Sequence, residues 1–292
     1  ALYRGNTMTK LDAPSKLAVG RTGQIFTPVA EMVCPVLENQ WVNGEYKHLV
    51  VEAPASALAA KPGQFFHLLC REVGDAAPYL RRPMSVYRID PTQKRIEFLY
   101  KVTGEGTKAL SELEPGEELN MLGPLGQGFD LSAKPKHILM LARGVGLATL
   151  APLAEAAQGQ GIMVDAILSA RSSEALMSID YLRQSGTNVT TVTDENGDSD
   201  VGKVEELVRV IAVEKGTKLF ATCGSNRLLQ MLRKIGGELG IPGQVALEQQ
   251  MGCGLGMCYC CVLPFKNTAD EIEYRRVCID GPVFKIEEAV SW

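Results

Sequence analysis

The sequence has no surplus of basic residues, no long apolar run and very little histidine. Lys and Arg number 30 against 34 Asp and Glu, a net charge of −4. A nucleic-acid binder usually carries a basic surplus, so that class is not expected. The longest stretch without charge runs 17 residues, Gln249 to Phe265, and holds two glutamines, three glycines, four cysteines and a proline. Such a stretch cannot form a lipid-facing helix, and no membrane span is expected. No apolar core follows Arg4, so no secretory leader is expected either. The three histidines are His48, His67 and His137. All fall in segments with strand character, where packed or surface imidazoles are commoner than catalytic ones. Nothing suggests a Ser-His-Asp triad or the paired carboxylates of a hydrolase. Internal repeats and low-complexity segments are also absent. Cysteine, in contrast, is abundant and oddly placed: five of the eight lie within the last 40 residues. A secreted disulfide scaffold would be shorter and spread its cysteines throughout, which leaves a reducing cytoplasm as the expected compartment.

A chain of 292 residues has room for two domains and a small third element. Residues 1–23 read as a polar arm. From 24 to 132 the pattern is short and β-rich, with strands expected over Lys47–Glu52, Gln64–Cys70, Met84–Ile89 and Glu97–Val102, and one helix near Thr107–Leu113. That spacing predicts a small β-barrel. From 133 to 247 strands alternate with helices. Strands are expected at His137–Ala142, Met163–Ser169, Val189–Asp194 and Lys218–Cys223, with Gln244–Leu247 as the last. Helices are expected at Leu147–Ala157, Ser173–Gln184, Lys203–Glu214 and Arg227–Leu239. This is the rhythm of a parallel α/β sheet. Residues 248–292 form the cysteine-rich tail.

Three segments carry chemistry. In the tail, Cys253, Cys258, Cys261 and Cys278 have the spacing of plant-type [2Fe–2S] ligands. Three thiolates must converge from one tight loop. Gly252, Gly254 and Gly256 let the backbone bend and bring N–H groups near the sulfurs. The alternatives are structural zinc, whose sites usually use two separated Cys pairs, or buried free thiols. Cys260 sits beside Cys261 and is expected to line the loop without ligating. In the barrel, Arg82-Pro83-Met84-Ser85 offers a guanidinium fork for a diphosphate and a hydroxyl for an isoalloxazine edge. An exposed Arg before a Pro is also a common surface feature. Gly104-Glu105-Gly106-Thr107 opens a helix whose N–H groups can hold phosphate. Between a strand and a helix lies Ala142-Arg143-Gly144-Val145-Gly146, either a diphosphate-binding turn or an ordinary tight βα turn. Cys223-Gly224-Ser225 is a matching second turn, in which a lone Cys is usually a small buried hydrophobe.

In this order, the segments resemble the ferredoxin-reductase-like flavoproteins, and more closely the electron-transfer subunits of type B dihydroorotate dehydrogenase. The matching residues run from Gln24 to Phe284 and include Pro62-Gly63-Gln64-Phe65, Arg82-Pro83-Met84-Ser85, Gly106-Thr107 and Leu122-Gly123-Pro124-Leu125-Gly126. Further on come Gly144-Val145-Gly146, Cys223-Gly224, Glu248 through Cys261, and Val277 through Phe284. The resemblance implies a barrel that holds FAD through Arg82, Pro83, Met84, Ser85, Tyr100, Lys101, Val102, Gly106 and Thr107. It implies an α/β domain that binds NAD(H) or NADP(H) near Gly144, Gly146, Cys223 and Gly224, and a cluster on Cys253, Cys258, Cys261 and Cys278. No further catalytic residue is implied. Electrons would pass between the nicotinamide, FAD, the cluster and a partner redox subunit, an FMN-containing dihydroorotate dehydrogenase of pyrimidine biosynthesis, in a heteromeric complex. A related reductase serving another dehydrogenase, reductase or oxygenase is the alternative, and a zinc-stabilised interaction module the non-enzyme one. Departures from the family are Ala142-Arg143 in place of two glycines, Cys260 in place of the usual Gly, a longer N-terminal arm, and a partly altered acidic turn at Thr193 to Asp198.

Overall fold

The structure is a computed structural model that describes residues 18–19, 25–26, 29–71 and 78–290. The expected arm lies outside these residues except for β1 (Ala18–Val19), which pairs antiparallel with β2 (Ile25–Phe26).

Seven antiparallel strands form one curled sheet. They are β3 (Ala30–Trp41), β4 (Tyr46–Glu52), β5 (Phe65–Leu68), β6 (Arg82–Ser85), β7 (Arg88–Asp90), β8 (Arg95–Lys101) and β9 (Glu118–Leu125), in the order β6-β5-β9-β3-β4-β8-β7. Two short helices, α1 (Ala55–Leu58) and α2 (Glu105–Ser111), lie in its connections. The long strand β3 is absent from the sequence reading and carries a proline, Pro35, in its interior. It is tolerated because Pro35 stands where β3 changes partner. Ala30 to Pro35 pair with β9, and Val36 to Trp41 pair with β4 across a bulge at Val36/Glu38. The single strand expected over Met84–Ile89 is two, β6 and β7, interrupted at Val86 and Tyr87. Alternation sorts β5 cleanly. Phe66 and Leu68 point into the barrel core, while Phe65 packs outward in a second core with Cys261 and Cys278.

The α/β half begins with β10 (His137–Arg143), α3 (Gly146–Gln158), β11 (Met163–Ala170), α4 (Ile179–Gln184) and β12 (Asn188–Thr193). It continues with α5 (Val201–Glu214), β13 (Leu219–Cys223), α6 (Asn226–Leu239) and β14 (Gly243–Ala246). The helix expected over Ser173–Gln184 is shorter. Ser173–Ala175 form a 3-10 turn, Leu176 is extended and Ser178 is left-handed. Ser178 Oγ lies 2.7 Å from Tyr87 Oη on the barrel, so a contact between the two halves fixes the break.

The tail adds the hairpin β15 (Val262–Lys266) and β16 (Ile272–Arg276), then β17 (Val283–Lys285). The sheet order is β12-β11-β10-β13-β14-β17. β14 is therefore not the last strand. β17, which follows the cysteine loop in sequence, pairs antiparallel with β14 and closes that edge. This ties the cysteine loop to the nucleotide sheet. The strand order reverses between β10 and β13, and the crevice at such a switch point is where open α/β sheets bind ligands.

Candidate flavin, nucleotide and iron–sulfur site

The cysteine loop is irregular from Met251 to Cys261, with Gly254, Gly256 and Tyr259 all at positive φ. A Cβ on Gly254 would lie 3.0 Å from Cε1 of His67, so this glycine is required by space as well as by φ. Three backbone N–H groups, those of Leu255, Met257 and Cys258, point at Cys253 Sγ from 3.3 to 3.5 Å. Burial works to raise the Cys253 thiol, but the N–H groups of Cys258, Leu255 and Met257 outweigh it and bring it down to about 7. At the base of the hairpin, the N–H of Val277 donates to the Cys261 carbonyl at 3.0 Å. The N–H of Cys278 points at Cys261 Sγ at 3.4 Å. Burial first, and then the neighbouring Cys261, push Cys278 up to about 12.

The four thiols thus form two pairs, Cys253 with Cys258 and Cys261 with Cys278. Two pairs suit a two-iron cluster that takes two thiolates on each iron. A lone tetrahedral ion needs a tighter group, and among the described residues no three His, Cys, Asp or Glu side chains gather to hold one metal ion. Outside the loop, Arg276 donates to the Gly256 carbonyl at 3.1 Å and pairs with Asp280, which ties the loop to β16. The rim is open, with Met257 77% and Tyr259 65% exposed.

Cys260 belongs to neither pair. It lines a cavity of about 830 Å³ that also meets β6, the end of β8, the start of α3 and the segment after β14. Arg82, Pro83, Met84, Ser85, Tyr100 and Lys101 all line it. Its volume falls in the range of a cofactor pocket. Gly106 and Thr107 support this wall without lining it. A Cβ on Gly106 would sit 2.4 Å from Arg82 Nε, so the glycine makes room for the guanidinium. Thr107 Oγ1 accepts the N–H groups of Thr103 and Gly104 and so shapes the start of α2. Val102 packs against the barrel core.

Across the cavity the two βα turns interlock. A Cβ on Gly146 would lie 2.5 Å from the Cys223 carbonyl, and one on Gly224, at φ +91°, would lie 2.5 Å from the Arg143 carbonyl. These glycines let two backbones touch, which brings the ends of β10 and β13 together beside the cavity. Gly144 borders a smaller cleft of about 330 Å³ with Arg143, Arg171 and Lys101, and this cleft faces the carboxyl end of β11. Arg143 is held there by Asp194, which it meets with two N–H groups, and by Ser169 Oγ at 2.7 Å. The Arg143 guanidinium and the Ser199 hydroxyl hold the Asp194 carboxyl down at about 2.

Glu248 and His67 are absent from the sequence reading as individual candidates. Glu248 lies two residues past the end of β14, at a strand's carboxyl end, where its position was a usable signal. It opens onto the cavity and is reached by solvent from there, yet protein surrounds it on most other sides. That desolvation pushes its carboxyl up. The buried Cys223 thiol, 4.0 Å from Glu248 Oε1, is also held protonated by burial. A carboxyl raised in the folded state favours folding below its unfolded value, and this contribution is lost as pH rises through the raised one. Glu248→Gln should therefore match the parent's melting temperature near pH 4 and exceed it at pH 8. Melting curves across that range check this.

His67 is completely buried. Neither ring nitrogen has a hydrogen-bond partner, and burial first, then the Arg81 charge, lower its pKa to about 4.

Residues 248–290 match the iron–sulfur cluster binding domain of dihydroorotate dehydrogenase B. The chain is 32% identical over 237 residues to the dihydroorotate dehydrogenase B (NAD(+)) electron transfer subunit of Desulforamulus reducens, covering 81% of this chain and 89% of that one. It is 35% identical over 246 residues to the corresponding subunit of a Geobacillus species, covering 83% and 90%. Among solved structures, the NADH-dependent reduced ferredoxin-NADP oxidoreductase superposes with a TM-score of 0.72 at 22% identity, over 88% of this chain and 90% of that one. The ferredoxin reductase of carbazole 1,9a-dioxygenase superposes at 0.58 and 18% identity, over 73% and 67%. These two likenesses establish a ferredoxin-reductase-like fold.

Proposed function

The chain belongs to the family of dihydroorotate dehydrogenase B electron transfer subunits, and from that premise we propose that it relays electrons between NAD(H) and a catalytic partner subunit through FAD and a [2Fe–2S] cluster. The observation that carries this reading is the shared cavity. The β6 wall, the interlocked turns of the sheet and Cys260 of the cysteine loop all border it or abut it.

The flavin supplies the change from two-electron exchange with nicotinamide to one-electron exchange with the cluster. On our reading the chain's residues do the rest. Arg82 neutralises the diphosphate from a position fixed by Gly106, and Ser85 meets the isoalloxazine edge. Tyr100 and Lys101 close the barrel side, and the start of α3 near Gly144 and Gly146 receives the nucleotide phosphates. Glu248 presents its carboxyl to the cavity, raised by partial desolvation. Cys253, Cys258, Cys261 and Cys278 hold the cluster, and N–H groups aimed at Cys253 Sγ stabilise its negative charge.

The partner docks on the open rim formed by Leu255, Met257 and Tyr259. These three exposed apolar side chains lie between and beside the proposed cluster ligands Cys253, Cys258 and Cys261. On this reading the partner carries FMN and oxidises dihydroorotate. Among the described residues no helix is long and apolar enough to cross a membrane. The purified chain should show flavin bands over a broad red-brown envelope and reduce an artificial acceptor with NADH. It should leave dihydroorotate unreacted until the partner is added. Turnover of dihydroorotate by the isolated chain would sink the division of labour, and a colourless zinc protein would sink the relay.

A further inference from the structure

His67 is a buried imidazole with no partner in the protein, and it faces the cysteine loop. It lies on the outward face of β5 with Phe65, whose ring centroid is 5.7 Å away. Phe65 belongs to the core that includes Cys261, Cys278 and Leu125. The Cε1–Nε2 edge of the ring meets Gly254, the residue after Cys253. A Cβ there would lie 3.0 Å from Cε1 and 3.1 Å from Nε2. Phe65, Phe66 and Leu68 show that the strand fills its other places with apolar side chains. A buried polar group without a partner is costly, and a leucine or phenylalanine here would avoid that cost. The neutral ring has one N–H to give, and three backbone N–H groups already point at the sulfur of Cys253, the neighbour of Gly254.

We propose that His67 donates its N–H to a sulfur of the [2Fe–2S] centre held by this loop, and so sets the potential at which the centre accepts an electron. The inference rests on the cluster reading above. A hydrogen bond to a cluster sulfur stabilises the more negative reduced form and raises the potential. His67 is thus a tuning residue that the ligand spacing does not reveal.

The test uses the purified full-length holoprotein labelled with 15N-histidine. Iron and acid-labile sulfide are counted first, which checks the cluster reading separately. After dithionite reduction, pulsed EPR should show a 15N coupling that His67→Phe loses. His48 pairs with Glu97 in the barrel and His137 with Asp165 in the sheet, so neither competes for the signal. The midpoint potential should fall in His67→Phe and recover in part in His67→Gln, which keeps an N–H donor. A full cluster without histidine coupling overturns the inference and leaves the function standing, as does an unchanged potential in His67→Phe. If His67→Phe loses its iron, the coupling in the parent and the potential of His67→Gln still decide. A parent chain with no iron or sulfide overturns both readings.

Discussion

Replacing Cys258 with serine should drop the chain's iron and acid-labile sulfide to background, whereas Cys260→Ser should retain both. The two cysteines are both exposed and only two residues apart, so composition alone does not separate them. Their surroundings do. Cys258 makes a side-chain contact with Cys253, whose sulfur gathers three N–H groups, and this is one of the two thiol pairs. Cys260 lines the large cavity and belongs to neither pair. A serine hydroxyl is a harder, far less acidic donor than a thiol and is a poor substitute in an iron–sulfur site. Ligand loss should also lower stability, because binding at such a site contributes to folding free energy. Iron analysis, sulfide analysis and the visible spectrum of both variants give the answer. Loss of iron in Cys260→Ser with retention in Cys258→Ser would reverse the assignment.

Arg82→Ala should weaken FAD binding about 10- to 100-fold, from the loss of charge-assisted phosphate bonds worth about 1.5–3 kcal/mol. Arg82 lines the cavity, donates to the Leu80 carbonyl and lies over Gly106, so its head is held in place before any ligand arrives. A preordered donor loses less entropy on binding. Arg82→Lys should recover only part of the affinity, since an ammonium lacks the planar fork. Flavin retained after gel filtration, followed by titration with FAD, measures the effect. Unchanged flavin content in Arg82→Ala would remove Arg82 from the diphosphate site.

Spacing was the strongest signal in the sequence, and it reads well for local features. Cys253, Cys258 and Cys261 lie in one loop, and a loop's ligands are set by chain distance. The alternation of strands and helices from His137 to Ala246 was legible because the doubly covered parallel strands read as short apolar runs and the helices between them as longer segments. Where partners decided the outcome, periodicity was silent. β3 carries a proline that only its change of partner accommodates. The break before α4 depends on Tyr87, 91 residues away from Ser178.

The sequence by itself determined most element types and the glycine turns, because these depend on neighbours along the chain. Tertiary structure decided the rest. It pairs the thiols two by two and puts Cys260 at the wall of the cavity. It sets Glu248 beside Cys223, and it places β17 at the edge of the nucleotide sheet so that the cysteine loop is anchored there. It also presses His67 against Gly254. The physical reason is that strand alternation tells which side chains share a face, but not which element from elsewhere in the chain will pack over that face and desolvate it.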